Sequence, residues 1–406
     1  MKHTESSSKL INTLSIIFVA GILLFLAISG AAALLRRPDA DSYYENRRLA
    51  SKPQASLSGV MDGSYFSSWN SFIQDHAPGR NTLLRLETLL NLKVLRRPVV
   101  NDVVVREDVL LGWTDYWLYG RQDLTRSVQE TAERIAGHAR TAEQYGGRFF
   151  YVAVPHQAMA FSGRFPGYMQ SHEDYYADIS SLLFPALKSL DVSALDMWQV
   201  FRDEGKLEDI SSRTDNHFNI TGSVELYEKL MELIAADTGF ELRAMNSGEY
   251  AIEWLPNHFI GSRTRKLFDL WHSDEKLGIL VPEDEVPFRR TDWADWLKEP
   301  KESSSVYELP SSPDSPVSYG LYMGGDWGKT IIETDRPEKP SILIYGDSFT
   351  NPVECIIWHD FNVMYSFDFR HYTEETLDEL IARYQPDVVV CIRDYEAILR
   401  SEGNGQ

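Results

Sequence analysis

Two short motifs hold residues whose types and spacing can do chemistry. The first is Gly346-Asp347-Ser348-Phe349, directly after the apolar run Ile342-Leu343-Ile344-Tyr345. A serine on a sharp strand-to-helix turn exposes its hydroxyl beyond the C-terminal edge of a sheet, and the backbone N–H groups around it point into the same space. That geometry suits a nucleophile, Ser348, with part of an oxyanion hole beside Gly346. The tripeptide Gly-Asp-Ser is common, and the competing reading is an ordinary helix cap by Asp347 or Ser348. The second motif is Thr214-Asp215-Asn216-His217-Phe218-Asn219. Asp and His two residues apart on an irregular segment can turn into one cleft. A serine hydroxyl needs such a base, and the base needs an orienting acid. Ser348, His217 and Asp215 would then form a Ser-His-Asp constellation. In the alternative, Asp215 and His217 only cap the helix that begins near Thr221. Asn219-Ile220-Thr221 matches a glycosylation sequon, but helix capping explains Asn219 and Thr221 more economically.

Asp-x-His also opens the metal-binding pattern of metallophosphoesterases, with Gly346-Asp347 as a second element. That pattern next requires Asn-His followed by an acid. Asn257-His258 is followed by Phe259 and precedes Gly346, so the order fails. No metal and no cofactor are expected.

Composition bounds what these motifs serve. The 406 residues are 43% hydrophobic, enough for one large or two modest domains with a core. A net charge of −20 without a long basic run argues against a nucleic-acid partner. Two cysteines, Cys355 and Cys391, are too few for a disulfide scaffold or a Cys-based zinc or iron-sulfur site. An aromatic content of 12% excludes a largely disordered chain.

The elements that must position the motifs follow from periodicity. Residues 14–35 carry no charge, long enough for a helix to cross the ~30 Å hydrocarbon core. This reads as an uncleaved anchor, although Ala31-Ala32-Ala33 resembles a signal cleavage site. Lys2 and Lys9 precede the span and Arg36 and Arg37 follow it, so flanking charge does not set orientation. The expected organisation is a cytoplasmic N-terminus at 1–13, a transmembrane helix at 14–35, a linker and helical extension at 36–100, and a catalytic domain at 101–406 outside the cytoplasm.

Apolar spacing from Tyr65 to Leu95, broken at Ala77-Pro78-Gly79, predicts two short helices. Ser127 with Glu130 reads as a capping box before the stripe Val128, Ala132, Ile135, Ala139 and Ala142, which Gly146-Gly147 stops. Strands are expected at Phe149–Val154, Leu190–Leu195, Ile342–Tyr345, Phe361–Phe367 and Val388–Ile392, with helices at Thr221–Ala236 and Leu377–Tyr384. This alternation predicts an α/β fold with a parallel sheet covered on both faces. The rhythm lapses from about 250 to 335, read as an insertion at one end of the sheet. Cys355, on the helix after the nucleophile turn, and Cys391, in an apolar strand, are expected to be buried thiols.

Asp215-x-His217 before a helix, followed much later by Gly346-Asp347-Ser348-Phe349, resembles the DHHW family and the related alginate O-acetyltransferase-like group of the SGNH hydrolase clan. Glu45-Asn46-Arg47-Arg48-Leu49-Ala50, Asp75-His76-Ala77-Pro78-Gly79-Arg80, Val152-Ala153-Val154-Pro155, Phe259-Ile260-Gly261-Ser262 and Phe367-Asp368-Phe369-Arg370 recur in corresponding order. The resemblance implies a flavodoxin-like SGNH sheet with circularly permuted motif order, the Asp/His pair preceding the serine. The family prefers His-Trp where this chain has His217-Phe218; an aromatic wall is kept, and the lost indole N–H puts a hydrogen bond to substrate in doubt.

The implied function is O-acetyl transfer on a cell-surface or secreted polysaccharide by a single-pass membrane protein, through an acetyl-serine intermediate. The expected partners are the polysaccharide, an acetyl donor supplied by a membrane-bound O-acyltransferase, and the membrane through the N-terminal helix. A carbohydrate acetyl esterase is the alternative, as is a silent glycan-binding or scaffold protein of an exopolysaccharide export complex. Arg370, beyond the strand neighbouring the nucleophile strand, is assigned to oxyanion or substrate contact, against a surface salt bridge. His156 and Tyr319 are further candidates for the same site.

Overall fold

The computed structural model describes residues 2–35, 41–45, 47–113, 124–246 and 248–405, in two compact units: Met1–Asn101 with Arg265–Leu270, and Asp102–Thr264 with Trp271–Gln406. Arg36, Arg37 and Asn46 lie outside the described residues.

The first unit opens with helix α1 (Lys2–Leu35), whose segment Thr13–Ala32 is long and apolar enough to cross a membrane. A short antiparallel pair follows, β1 (Asp41–Ser42) with β2 (Arg47–Arg48). Helices α2 (Leu57–Met61), α3 (Ser64–Asp75) and α4 (Arg80–Leu89) come next, and α4 continues as a wider π turn to Val94 before strand β3 (Val99–Val100). Between α3 and α4 the chain turns at Gly79, whose φ of +74° favours a residue without a side chain. Two of the quoted motifs meet here. Arg47 donates to both carboxylate oxygens of Asp75 at 2.6 and 2.9 Å, and Arg80 to both of Glu45 at 2.6 and 2.9 Å. The Arg47 guanidinium holds the Asp75 carboxyl down at about 2.

The second unit is built on one sheet. It begins with the hairpin β4 (Val103–Val105) and β5 (Leu110–Gly112). Helix α5 (Leu124–Gln144) leads into β6 (Arg148–Val154), then α6 (Gln157–Ala160), α7 (Glu173–Ser189), β7 (Ser193–Asp196), α8 (Met197–Asp203) and α9 (Ile220–Thr238). The pair β8 (Tyr250–Trp254) and β9 (Gly278–Pro282) flanks α10 (Ser262–Lys266), and β10 (Arg289–Trp293), β11 (Lys301–Ser303) and β12 (Lys329–Glu333) follow. The chain closes with β13 (Ser341–Gly346), α11 (Asn351–Ile357), β14 (Val363–Phe367), α12 (Leu377–Tyr384) and β15 (Val388–Asp394).

Eight strands line up as β11-β10-β12-β14-β13-β15-β6-β7. From β14 to β7 all neighbours are parallel, and β12, β10 and β11 add on antiparallel. This is an SGNH-like α/β fold with a mostly parallel sheet. The segment from about 250 to 335 supplies those three antiparallel strands, so it extends the sheet itself.

Strand alternation explains why the central strands read as unbroken apolar runs. Val152, Ile342, Ile344 and Val390 face one core, with Leu226 and Leu230 of α9 and Ile356 of α11. Tyr151, Leu343, Val389 and Cys391 face the other, with Ala132 and Ile135 of α5, Leu183 of α7 and Leu380 of α12. Each fully buried Val, Leu or Ile contributes ~1.5–3 kcal/mol, so a strand buried on both sides has no room for polar alternation. Cys355 and Cys391 are buried free thiols in these two separate cores.

Three local expectations are corrected. Helix α5 already runs from Leu124, so Ser127 and Glu130 lie inside it rather than capping it. The strand expected at Leu190–Leu195 begins at Ser193, because Leu190 closes α7 and Asp191 turns with φ +57°. The strand expected from Phe361 begins at Val363, since the Phe361 N–H instead closes a 3₁₀ turn on Trp358.

Candidate active site

Asp215 and His217 lie on an irregular segment ahead of α9, and what fixes that segment is the cap of α9. Asn219 accepts the Gly222 N–H at 3.1 Å and donates its side-chain amide to the Asp209 carbonyl at 2.7 Å. Asn219 therefore caps the helix, and Asp215 and His217 are released from that task. Upstream, the Ser212 hydroxyl accepts the N–H of Thr214 at 3.2 Å and of Asp215 at 2.9 Å, folding the loop so that residue 215 turns inward.

Ser348 stands at the turn between β13 and α11 and remains partly exposed. Gly346 closes the strand where an added Cβ would collide with the Ile392 carbonyl of β15. The close approach of two strands explains Gly346, and no oxyanion contact is needed to account for it. Asp347 locks the turn by accepting the N–H of Phe349 at 3.1 Å and of Asp394 at 3.2 Å. Behind it, 3.7 Å away, lies the Arg393 guanidinium, itself buried and donating to the carbonyls of Ala397, Glu402 and Gly403 at 3.1, 2.8 and 3.4 Å.

These two turns bring the three sequence-predicted groups into a line. His217 Nδ1 is 2.5 Å from Asp215 Oδ1, and His217 Nε2 is 2.7 Å from Ser348 Oγ. Asp215 and His217 are only 2% and 6% exposed. With Nδ1–H donating to the carboxylate, Nε2 is an acceptor, and two donors converge on it: the Ser348 hydroxyl and the Asn216 side-chain amide at 3.3 Å. Burial pushes the Asp215 carboxyl up, but the charge and hydrogen bond of His217, the Ser262 amide and the Arg263 guanidinium outweigh it, holding Asp215 well below the usual carboxylate range. The Asp stays ionised and can stabilise an imidazolium.

Two groups that hold this line were not assigned roles from sequence. The Ser262 N–H donates to Asp215 Oδ2 at 2.5 Å and its hydroxyl to Asn216 Oδ1 at 2.8 Å. Ser262 sits in the quoted Phe259-Ile260-Gly261-Ser262 stretch, and Gly261 is needed because an added Cβ would strike the Thr214 carbonyl. That conjunction is the signal that could have found it. The second is Phe349, whose ring packs 4.5 Å from the His217 imidazole.

The remaining candidates separate. Tyr319 stacks flat on His217, with ring centroids 3.5 Å apart and an interplanar angle of 5°, and its hydroxyl donates to the Ser348 carbonyl at 3.1 Å. His156 accepts the Ala158 N–H at 3.2 Å as the cap of α6, and burial pushes its imidazole down to about 4. His156 is therefore a neutral, buried cap. Arg370 forks onto Asp368 at 2.6 and 2.9 Å and reaches Asp326 at 3.1 Å, while Asn351 of α11 donates to the other Asp326 oxygen at 2.8 Å. Burial opposes its charge, but those carboxylates outweigh the cost and keep Arg370 protonated. Phe218, expected as a cleft wall, lies in the hydrophobic core edge-on to Phe349 at 5.3 Å. Asn257, weighed above as a metal ligand, donates its amide to the carbonyls of Ser312, Pro313 and Ser315.

Residues 109–296 match the family model of the SGNH hydrolase-like domain of the acetyltransferase AlgX. The matched stretch contains Asp215, His217 and Ser262 and stops before Ser348. Over that stretch the chain is similar to an SGNH-type acetyltransferase domain, in line with the motif resemblance. No curated protein matches the chain significantly. Among solved structures, Bacillus cereus PatB1 shares the fold at 18% identity and a TM-score of 0.63, over 73% of this chain and 96% of that one. A second PatB1 structure, with a sulfonyl adduct, aligns at 17% identity and a TM-score of 0.62, over 73% and 95%. A DHHW family protein from Eubacterium siraeum aligns at 19% identity and a TM-score of 0.55, over 76% and 95%.

Proposed function

We propose that this chain is an O-acetyltransferase acting on a cell-surface or secreted polysaccharide, anchored in the membrane by α1 with its catalytic unit outside the cytoplasm. The observation that carries the reading is the unbroken line from Ser348 Oγ through the His217 imidazole to Asp215, with separations of 2.7 and 2.5 Å. The AlgX family match and the motif resemblance support the acetyl group and the polysaccharide.

In the first half-reaction Ser348 Oγ bonds to the carbonyl carbon of an acetyl donor while His217 Nε2 takes the hydroxyl proton. Asp215, ionised, stabilises the imidazolium. The tetrahedral oxygen is held by the Ser348 N–H at the turn, and collapse expels the donor with the proton from His217. In the second half-reaction a sugar hydroxyl loses its proton to His217 and attacks the acetyl-serine, regenerating Ser348. The donor arrives from a membrane-bound O-acyltransferase, the partner that the resemblance implies.

The test is to trap the intermediate. The purified chain is treated with p-nitrophenyl acetate, quenched in acid, digested and read by mass spectrometry. The peptide bearing Ser348 should carry one acetyl group, and that group should pass to an added polysaccharide in preference to water. No acetylation of that peptide, or the same acetylation in Ser348→Ala, overturns the mechanism. Release as acetate whatever acceptor is present makes the protein an esterase.

A further inference from the structure

The charge and the exposed apolar surface of this chain are both divided at the same place. The first 101 residues carry 12 Lys and Arg against 7 Asp and Glu, a net +5. The remaining 305 carry 28 against 53, a net −25. Outside α1, the described residues hold seventeen exposed large apolar side chains, and twelve of them fall between Tyr43 and Leu95. A water-soluble helical extension turns its apolar stripe inward and its charges outward. This one does not.

On α4 and its continuation, Leu83, Leu86, Leu90 and Val94 recur at helical spacing in one stripe, and they are 64, 55, 47 and 69% exposed. Thr88, on the far side of the helix, is buried. Exposed basic residues Arg85, Lys93, Arg96 and Arg97 accompany the stripe, with Glu87 the single acid between Arg80 and Arg97. On α2, Leu57 and Met61 are 83 and 82% exposed. A basic helix with an uncovered apolar face is what an anionic bilayer surface accepts: the side chains enter the acyl boundary and the cations stay among the headgroups.

Continuity of the chain selects that occupant. Only 24 residues separate the end of the Thr13–Ala32 segment from Leu57. Once the span is in a bilayer, docking of α2 to α4 on that same bilayer is intramolecular, at a high effective concentration. We infer that residues 57–97 form an interfacial membrane-binding element, with Leu83, Leu86, Leu90 and Val94 seated in the bilayer surface and the basic residues on anionic headgroups. This rests on the reading of α1 as a membrane anchor and goes beyond it: the chain holds the membrane at two places, one spanning and one lying flat.

The test uses the full chain in nanodiscs of phosphatidylcholine and phosphatidylglycerol. Nitroxides are placed singly through Leu86→Cys, Leu90→Cys, Leu309→Cys and Val19→Cys; Cys355 and Cys391 are buried and stay unlabelled in the native protein. Collisions with oxygen, which concentrates in lipid, are compared with those of a water-soluble nickel chelate. The oxygen-to-nickel ratio at positions 86 and 90 should exceed that at 309 severalfold, and should fall in phosphatidylcholine alone. Ratios at 86 and 90 equal to that at 309 overturn the proposal. So does exclusion of both reagents, which means that a second copy or another protein covers the stripe. An unchanged ratio in phosphatidylcholine alone overturns the part played by the basic residues. A water-like ratio at position 19 shows that the anchor reading itself has failed, and the proposal with it.

Discussion

The Tyr319 ring lies flat on the His217 imidazole, 3.5 Å between centroids and 5° from parallel. The imidazole is thereby clamped in one plane while Asp215 and Ser348 hold its two nitrogens. Tyr319→Phe removes only the hydroxyl bond to the Ser348 carbonyl, a loss of ~0.5–1.5 kcal/mol, and should lower kcat by about tenfold or less. Tyr319→Leu removes the stacked face and should lower kcat further while KM changes little. Steady-state kinetics on an acetyl ester with both variants checks this; equal kcat in parent and Tyr319→Leu removes the ring from the machinery.

Ser348→Ala should abolish acetyl transfer by about 10³-fold or more while leaving the fold intact, because the hydroxyl does chemistry and little packing. His217→Ala should match it. The double variant should be hardly worse than either single one, since groups that act as a unit are not additive. Losses that multiply in the double variant would break the shared mechanism.

Asp215 links the site to acid stability. Its folded-state pKa is depressed below the ordinary value of 3.8, so its contribution is fully present above that value and is lost as pH falls through and below it. Asp215→Asn should destabilise the protein by ~1–3 kcal/mol near neutral pH, with the difference narrowing below about pH 4. Denaturant midpoints at both pH values read this directly; a gap that widens in acid contradicts the sign.

Arg370 is engaged by Asp368 and Asp326, which identifies it as a tie between the end of β14 and the Asn351 end of α11. Arg370→Lys should cost stability, ~1–3 kcal/mol, because an ammonium cannot reproduce the fork, with kcat changed about tenfold or less. A loss of kcat of about 10³-fold at unchanged stability would return Arg370 to the transition state.

What the sequence displayed of this molecule depended on how local each device is. The central strands were legible because burial on both faces writes an unbroken apolar run, as in Val388–Ile392. The line of Ser348, His217 and Asp215 was legible because two motifs carry all its atoms, although they are more than a hundred residues apart. Tyr319 was visible as a candidate, but its flat stacking arises only when the 3₁₀ turn at Tyr319–Leu321 is laid against α9's entry loop. The Ser262 amide was hidden for a different reason: a backbone donor has no signature in residue type. Phe218 misled because an aromatic beside a base reads as a cleft wall, whereas the cap by Asn219 rotates it into the core. Ser127 and Glu130 matched a capping box, but the helix already runs from Leu124 and encloses them.

The tail after β15 is worth more than its composition suggests. Residues 401–405 supply two of the three carbonyls that satisfy the buried Arg393, and Arg393 backs the Asp347 carboxylate that shapes the Ser348 turn. In practical terms this turn works as a splint on the Ser348 turn. Proteolytic trimming there would leave Arg393 only the Ala397 carbonyl and loosen the turn that Asp347 shapes around Ser348.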